Sequence, residues 1–420
     1  MAVDSRPAER LLMHILFITA HFEPEQGAAP VIITRLARAL RQRGHNITVL
    51  TALPNYPQGQ VCGSYRGRWQ VTEDVDGVRV IRTWLWATPS PKISRKLVSQ
   101  VSFALTAALR GLRLPRPDAA LVEAQPMFTH LAGAALCRLR GIPYVLDVHD
   151  LWPDHLLTVG AMTAQHPVYR AFRALTNASL RGAAGIICLT PYLTEQVAVY
   201  ARDASKVQTV LSGIDLNRFR PDLDGSAFRA KYGLGTDRLV SYIGTLGTAY
   251  DVHTMLDAAR RLAHRRDVTF LIVGTGTQKQ AVAERLSRGD ITNVRWIEWV
   301  DYVDIPTVWA SIDVAFWALH NYPLHRGALG TKLFEAFASG VPVAVALEGV
   351  VSHILQVSGG GLYVPFGDAA GLAAAVARLL DDAELRARCA RAGRAYAEAH
   401  LDYERSADAY EAMLMRAAER

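Results

Sequence analysis

The chain has 420 residues, 50% hydrophobic and 20% charged, which excludes a disordered chain and is long enough for two folded domains. Its four cysteines, Cys62, Cys137, Cys188 and Cys389, form no CxxC pair, so neither a disulfide framework nor a cysteine zinc site is expected, and a reducing, cytoplasmic setting follows. The net charge of +7 is uneven: residues 1–200 carry 21 Lys+Arg against 13 Asp+Glu, the remainder 25 against 26, so the N-terminal half is expected to meet an anion or an anionic surface.

The chain start lacks the charged segment and apolar run of a signal peptide, and no stretch is long and apolar enough to span a membrane. Residues 1–12 read as a dispensable extension before Met13. His14–Thr19 is an almost wholly apolar run, the pattern of a buried parallel strand. A loop, His21–Gly27, leads into a helical pattern over Val31–Arg43 that stops at Gly44. Asn46–Leu50, Ala119–Val122, Tyr144–Val148, Gly185–Leu189 and Val207–Leu211 read as further strands of a doubly wound parallel sheet. The series restarts at Leu239–Ile243, followed by a helix over Val252–His264 and strands at Val268–Val273, Val294–Ile297, Val314–Trp317 and Val341–Val345. Lys332–Ala338, Ala370–Leu380 and the tail from Asp382 read as helical. The expected division is 1–212, 213–395 and a final helix over 396–420, with Gly213–Pro221 as linker.

In open α/β sheets ligands bind beyond the carboxyl ends of the strands, and two such domains facing one another make the cleft between them the natural site. The Gly-rich loop Gly327-Ala-Leu329-Gly330-Thr331-Lys332 runs into a helix, where free amides and the helix dipole suit a diphosphate; Arg326 and Lys332 add positive charge. Glu335, one turn further, is placed to accept bonds from ribose hydroxyls. Gly244 and Gly247, after the first strand of the second half, allow close approach of backbone to phosphate. His149 and Asp150 stand at a strand's carboxyl end, suited to polar contact with a sugar. His21, Glu23 and Gly27 form an acceptor-side loop. Lys92–Arg116 mixes six basic residues with apolar ones in a helical pattern, as in helices that lie on anionic membranes, although docking on its own sheet accounts for an apolar face equally well.

The segment from Gly327 to Glu335, with the following Gly340-Val-Pro, resembles the signature of family 4 retaining glycosyltransferases, which have the GT-B fold. In that family two glutamates eight positions apart flank the loop; Glu335 matches the second, the ribose ligand, whereas Gly327 stands where the first contacts the donor sugar. That substitution, together with Lys332, resembles a subgroup that includes aminosugar transferases of bacterial polysaccharide assembly. Asn55-Tyr56-Pro-x-Gly59, Asp147-Val-His-Asp-Leu-Trp-Pro-Asp154, Ser212-Gly-Ile-Asp-x-x-x-Phe219-x-Pro221 and Gly360-Gly-Leu-x-Val-Pro365 extend the match over residues 14–410. Thr245 and Tyr250 occupy the places where the family carries a basic Arg and Lys.

The resemblance implies a GT-B fold of two Rossmann-like domains facing across a cleft, with the last helix crossing back to the first domain. It implies transfer with retention from a nucleoside diphosphate sugar, UDP-linked in the first instance, to a hydroxyl acceptor such as a polyprenyl-diphosphate-linked saccharide, with no metal or other cofactor. His149 and Asp150 are then catalytic; Gly244, Gly247, Arg326, Gly327, Leu329, Gly330, Thr331 and Lys332 hold the diphosphate; Glu335 holds the ribose. Gly274, Gly276, Trp299 and Val300 approach the base, and His21, Glu23, Gly27 and Tyr56 line the acceptor region. Peripheral contact with the inner face of the plasma membrane fits such an acceptor. A nucleic-acid partner is not expected, since the basic residues do not alternate with aromatics. GxGxxG, GxxxxGK[ST], GxSxG and HExxH are all missing, which argues against dehydrogenase, P-loop and hydrolase chemistry. A GT-B sugar phosphorylase and a natural-product glycosyltransferase with a soluble aglycone are the alternatives; an exported two-lobed binding protein would need a signal peptide.

Overall fold

The computed structural model describes residues 12–25, 27–90, 92–158, 160 and 162–420. Apart from Leu12, the expected extension 1–12 lies outside the described residues, as does Gln26 of the 21–27 loop. The chain divides into two compact units, one running to Val210 and taking up Ala407–Arg420, the other Leu211–Ser406.

In unit 1 the elements are β1 (His14–Ile18), α1 (Ala28–Gln42), β2 (Asn46–Ala52), β3 (Gln70–Val75), β4 (Val78–Thr83), α2 (Ile93–Gly111), β5 (Ala119–Glu123), α3 (Met127–Arg140), β6 (Tyr144–Val148), α4 (His155–Thr158), α5 (Pro167–Gly182), β7 (Gly185–Cys188), α6 (Pro191–Ala201) and β8 (Val207–Thr209). They form an eight-stranded sheet of order β3-β4-β2-β1-β5-β6-β7-β8, parallel except for β3. Ile15 to Ile18, Val49, Leu50, Leu121, Val122, Val145 and Leu146 are buried because helices cover both faces, which is why these strands are apolar without alternation. The sheet order reverses between β1 and β5, so the carboxyl ends of these two strands flank the switch point.

Unit 2 runs through α7 (Ser226–Lys231), β9 (Arg238–Ile243), α8 (Val252–Arg261), β10 (Val268–Val273), α9 (Lys279–Leu286), β11 (Val294–Ile297), α10 (Ile305–Ala310), β12 (Val314–Ala318), α11 (Thr331–Ala338), β13 (Val343–Ala346), α12 (Val350–Ser358), β14 (Gly361–Val364), α13 (Ala369–Asp381) and α14 (Ala383–His400). Its sheet, β11-β10-β9-β12-β13-β14, is wholly parallel and switches between β9 and β12. The last helix, α15 (Tyr403–Ala418), starts in unit 2, and from Ala407 its residues belong to unit 1.

Three local readings are corrected. The hairpin β3–β4 is absent from the expected elements: β3 is an edge strand with no buried residue, and its one sequence signal is Asp76-Gly77, both at positive φ, as a two-residue hairpin turn requires. The segment Gly360–Pro365, absent from the expected strands, contains β14. The segment 213–221 follows the division at Val210/Leu211 and is packed on unit 2: Ile214 bridges to Asp402, and Phe219 is fully buried in the unit 2 core.

Candidate active site

In unit 2 the elements that meet at the β9/β12 switch carry the residues expected for the diphosphate. Gly330 is the N-cap of α11 and Thr331 its first residue, so the free amides of the first turn lie beside Lys332. The Lys332 side chain is buried. Its Nζ donates to the Tyr250 hydroxyl and lies 4.0 Å from the Tyr250 ring centroid, 5.0 Å from Tyr242 and 6.0 Å from Trp317. A Cβ built on Gly244 would lie 3.4 Å from this nitrogen, so the loop after β9 and the start of α11 converge on one cation. An ammonium in an aromatic box is attracted to the ring faces, which carry no net charge to neutralise it. Tyr250 thus stands where the family's basic residue was expected and holds the lysine of α11.

Glu335, three residues on and also buried, accepts from the Trp309 indole Nε1 at 2.9 Å, which orients its carboxylate. Gly247 has open space on its Cβ side. Gly327 is buried, and Leu329 packs against the unit 2 core. Arg326 is turned elsewhere: its guanidinium is half exposed, 3.4 Å from Glu348 and stacked over Phe366 at 5.7 Å. Gly274 adjoins Gly244, since a Cβ on Gly274 would collide with the Gly244 carbonyl oxygen; Gly276 approaches the Leu246 backbone in the same way. These two glycines therefore let the β9 and β10 loops pack. Trp299 is exposed and bonds Asp301, and Val300 rests on the core. Trp296, not singled out in sequence, donates to the Gly274 carbonyl at 2.9 Å.

In unit 1 the loops after β1, β5 and β6 bring together a cluster of carboxylates and imidazoles. Asp147, buried at the end of β6, accepts from His149 Nε2 at 3.1 Å. Burial works against the charged ring, but Asp147 foremost, then Glu123 and Asp150, outweigh it and raise His149 to about 9. His149 is therefore an imidazolium at neutral pH, a donor rather than a base. Glu123 is buried beside it and bonded by the Thr19 hydroxyl; burial raises its carboxyl above the ordinary range, with His149 and Thr19 acting the other way. Asp150 is exposed.

The acceptor-side loop is organised by a residue that sequence reasoning does not single out. Glu25 is buried and accepts from the backbone amides of Asn55 and Tyr56, both at 2.7 Å, and from His21 Nδ1 at 3.0 Å. Burial lowers His21, but the bond to Glu25 more than compensates, and its pKa is raised. Glu23, the expected acceptor ligand, instead pairs with Arg38 at 2.6 Å on the surface. Gly27, at φ 139, passes the Tyr56 ring so closely that a Cβ would lie 2.9 Å from it. His21 and Tyr56 line a cavity of about 220 Å³ with Lys96, Gln100, Phe103 and Thr129, whose buried hydroxyl has no hydrogen-bond partner among the described residues.

Residues 27–213 match the glycosyl transferase 4-like domain, and residues 225–396 match glycosyl transferases group 1. The chain belongs to the family 4 glycosyltransferases. The transferase is 27% identical over 384 residues to a 2-deoxystreptamine glucosyltransferase of Streptomyces kanamyceticus, covering 85% of this chain and 92% of that one. Among solved structures, HepE of Anabaena in complex with UDP-glucose superposes with a TM-score of 0.70 at 18% identity, covering 95% of the transferase and all (100%) of HepE. WaaG, a glycosyltransferase involved in lipopolysaccharide biosynthesis, gives 0.71 at 16% identity, covering 95% and 99%. These two likenesses establish the GT-B fold of two Rossmann-like domains.

Proposed function

We propose that the transferase moves a sugar, with retention, from a UDP-sugar to a hydroxyl of a lipid-linked saccharide in polysaccharide assembly. The observation that carries this reading is Lys332, a buried cation converged upon by Gly244, Gly330 and the first turn of α11, with Glu335 on the same helix. As the diphosphate leaves, charge grows on its oxygens, and the α11 amides and Lys332 stabilise it. Glu335, oriented by Trp309, takes the ribose. His149, held as an imidazolium, donates to a sugar oxygen and positions it. The complex of HepE with UDP-glucose supports the choice of base.

No metal enters this scheme. Unit 1 takes the acceptor in the cavity beside His21 and Tyr56, where Lys96 suits a phosphate and the Thr129 hydroxyl a sugar. Lipid linkage is supported by α2. Its inner face buries Phe103, Ala104 and Ala107, while Val98, Val101, Leu105 and Leu109 form a second, exposed stripe, with Arg95 on the helix and Arg113 just beyond its end also exposed. Docking on the sheet explains only the first face; an anionic bilayer matches the second. Among the described residues no helix is long and apolar enough to cross a membrane.

The test is transfer from UDP-, GDP-, TDP- and ADP-sugars to short-chain polyprenyl-diphosphate saccharides and, separately, to 2-deoxystreptamine, with the anomeric configuration of the product read by NMR. The expected product is an α-linked saccharide on the lipid with release of UDP. Transfer only to the aminocyclitol would establish the second reading, favoured by the Streptomyces relative, and cleavage of a glycoside by inorganic phosphate to a sugar 1-phosphate, with no turnover of any nucleotide sugar, would establish a phosphorylase.

A further inference from the structure

Asp147 and His149 form a pair at the end of β6, and a third residue, from the far end of the chain, closes on them. Tyr410 lies in the part of α15 that belongs to unit 1 and is buried there. Its hydroxyl donates to Asp147 Oδ1 at 2.7 Å, the same oxygen that accepts from His149 Nε2 at 3.1 Å. Two donors on one oxygen fix the torsion of a buried carboxylate, because rotating it away would strand both in a site where an unpaired polar group is costly. With Asp147 fixed, Nε2 of His149 is fixed, and Nδ1, which makes no hydrogen bond among the described residues, is the position from which the ring can donate.

The helix that carries Tyr410 is itself set by independent contacts. The neighbouring Glu411 is buried and binds Arg43 at 2.6 Å and His45 at 3.0 Å, and Met413 packs under Gly185 of β7. Docking of α15 therefore has its own anchors, and the Tyr410 hydroxyl is not needed for it. We infer that Tyr410 is a positioning residue for His149, acting through Asp147, so that the last helix of the chain completes the catalytic network of unit 1. This rests on the reading of His149 as a catalytic donor.

The experiment compares Tyr410→Phe, Asp147→Asn, their combination and Glu411→Gln in the full-length protein. Tyr410→Phe keeps the ring and removes one oxygen; kcat should fall roughly 10- to 100-fold, the scale of a misplaced catalytic group, with KM for the nucleotide sugar unchanged. The double variant should be no slower than Asp147→Asn alone, as expected for residues acting in series. Glu411→Gln should lower the melting temperature without lowering kcat. A parental kcat in Tyr410→Phe, additive losses in the double variant, or an equal loss in Glu411→Gln would each overturn the inference. If the parent protein transfers from no nucleotide sugar, the proposed function fails and positioning is read separately from the His149 ring by NMR. The Nε2-bound proton should be observable in the parent and lost to exchange in Tyr410→Phe; identical spectra would overturn the positioning role.

Discussion

Lys332 donates to the hydroxyl of Tyr250 while its ammonium sits 4.0 Å from the centre of the same ring. The contact holds a buried cation ready for an anion and supplies none itself. It also explains how a chain with Tyr250 in place of the family's basic residue keeps a positive site at the β9/β12 switch. Lys332→Met, which retains the aliphatic stem, should weaken nucleoside diphosphate binding roughly 10- to 100-fold, because a charged hydrogen bond contributes about 1.5–3 kcal/mol. Calorimetric titration checks this. Tyr250→Phe keeps the ring and loses the hydroxyl, and its loss should be the smaller of the two.

Glu335 and Trp309 make a second test. Glu335→Ala should weaken nucleotide binding by a similar factor. Trp309→Phe leaves the carboxylate in place but removes the donor that orients it, so binding should fall less than in Glu335→Ala, measured in the same titration. Equal affinity for UDP and uracil-containing analogues without the ribose hydroxyls would contradict the ribose role.

The charge on His149 gives a pH dependence with a definite sign. Its pKa in the folded protein, about 9, lies above its ordinary 6.5. The pairing therefore contributes stability in full below about pH 6.5 and loses it as pH rises through 9. Transfer should decline over the same rise as the imidazolium loses its proton. Asp147→Asn removes the main carboxylate and should lower the His149 midpoint, which NMR titration of the ring reads directly.

Gly274 offers a purely structural check. Its φ of 140 is strained for any other residue, and an added methyl would run into the Gly244 carbonyl oxygen, so Gly274→Ala must separate the β9 and β10 loops. A loss of roughly 2–4 kcal/mol is expected in denaturant unfolding.

Much of this architecture is legible in the chain itself, for a physical reason. A parallel strand covered on both faces must be apolar throughout, so runs such as His14–Ile18 and Val268–Val273 announce themselves, and the Gly327–Glu335 loop carries its helix start in local residue types. Strand β3 hides because an edge strand reading QVTEDV buries nothing, whereas β4, VRVIRT, is buried at all but one position and its short apolar run is simply passed over. The polar network hides because its partners are distant: Tyr410 meets Asp147 across 263 positions and Trp309 meets Glu335 across 26. Glu23 and Glu25 look interchangeable in sequence, and only burial separates the surface ion pair from the residue that organises His21 and Tyr56.

The most direct measurement is the thermal shift of the parent protein and of the Lys332→Met, Glu335→Ala double variant with UDP and UDP-sugars, since a ligand that binds the native state raises its melting temperature. The account predicts a clear upward shift in the parent and none in the double variant, with both proteins folded before ligand is added. An equal shift in both would place the nucleotide elsewhere, and no shift in the parent with any nucleoside diphosphate sugar would contradict a donor site at Lys332 and Glu335.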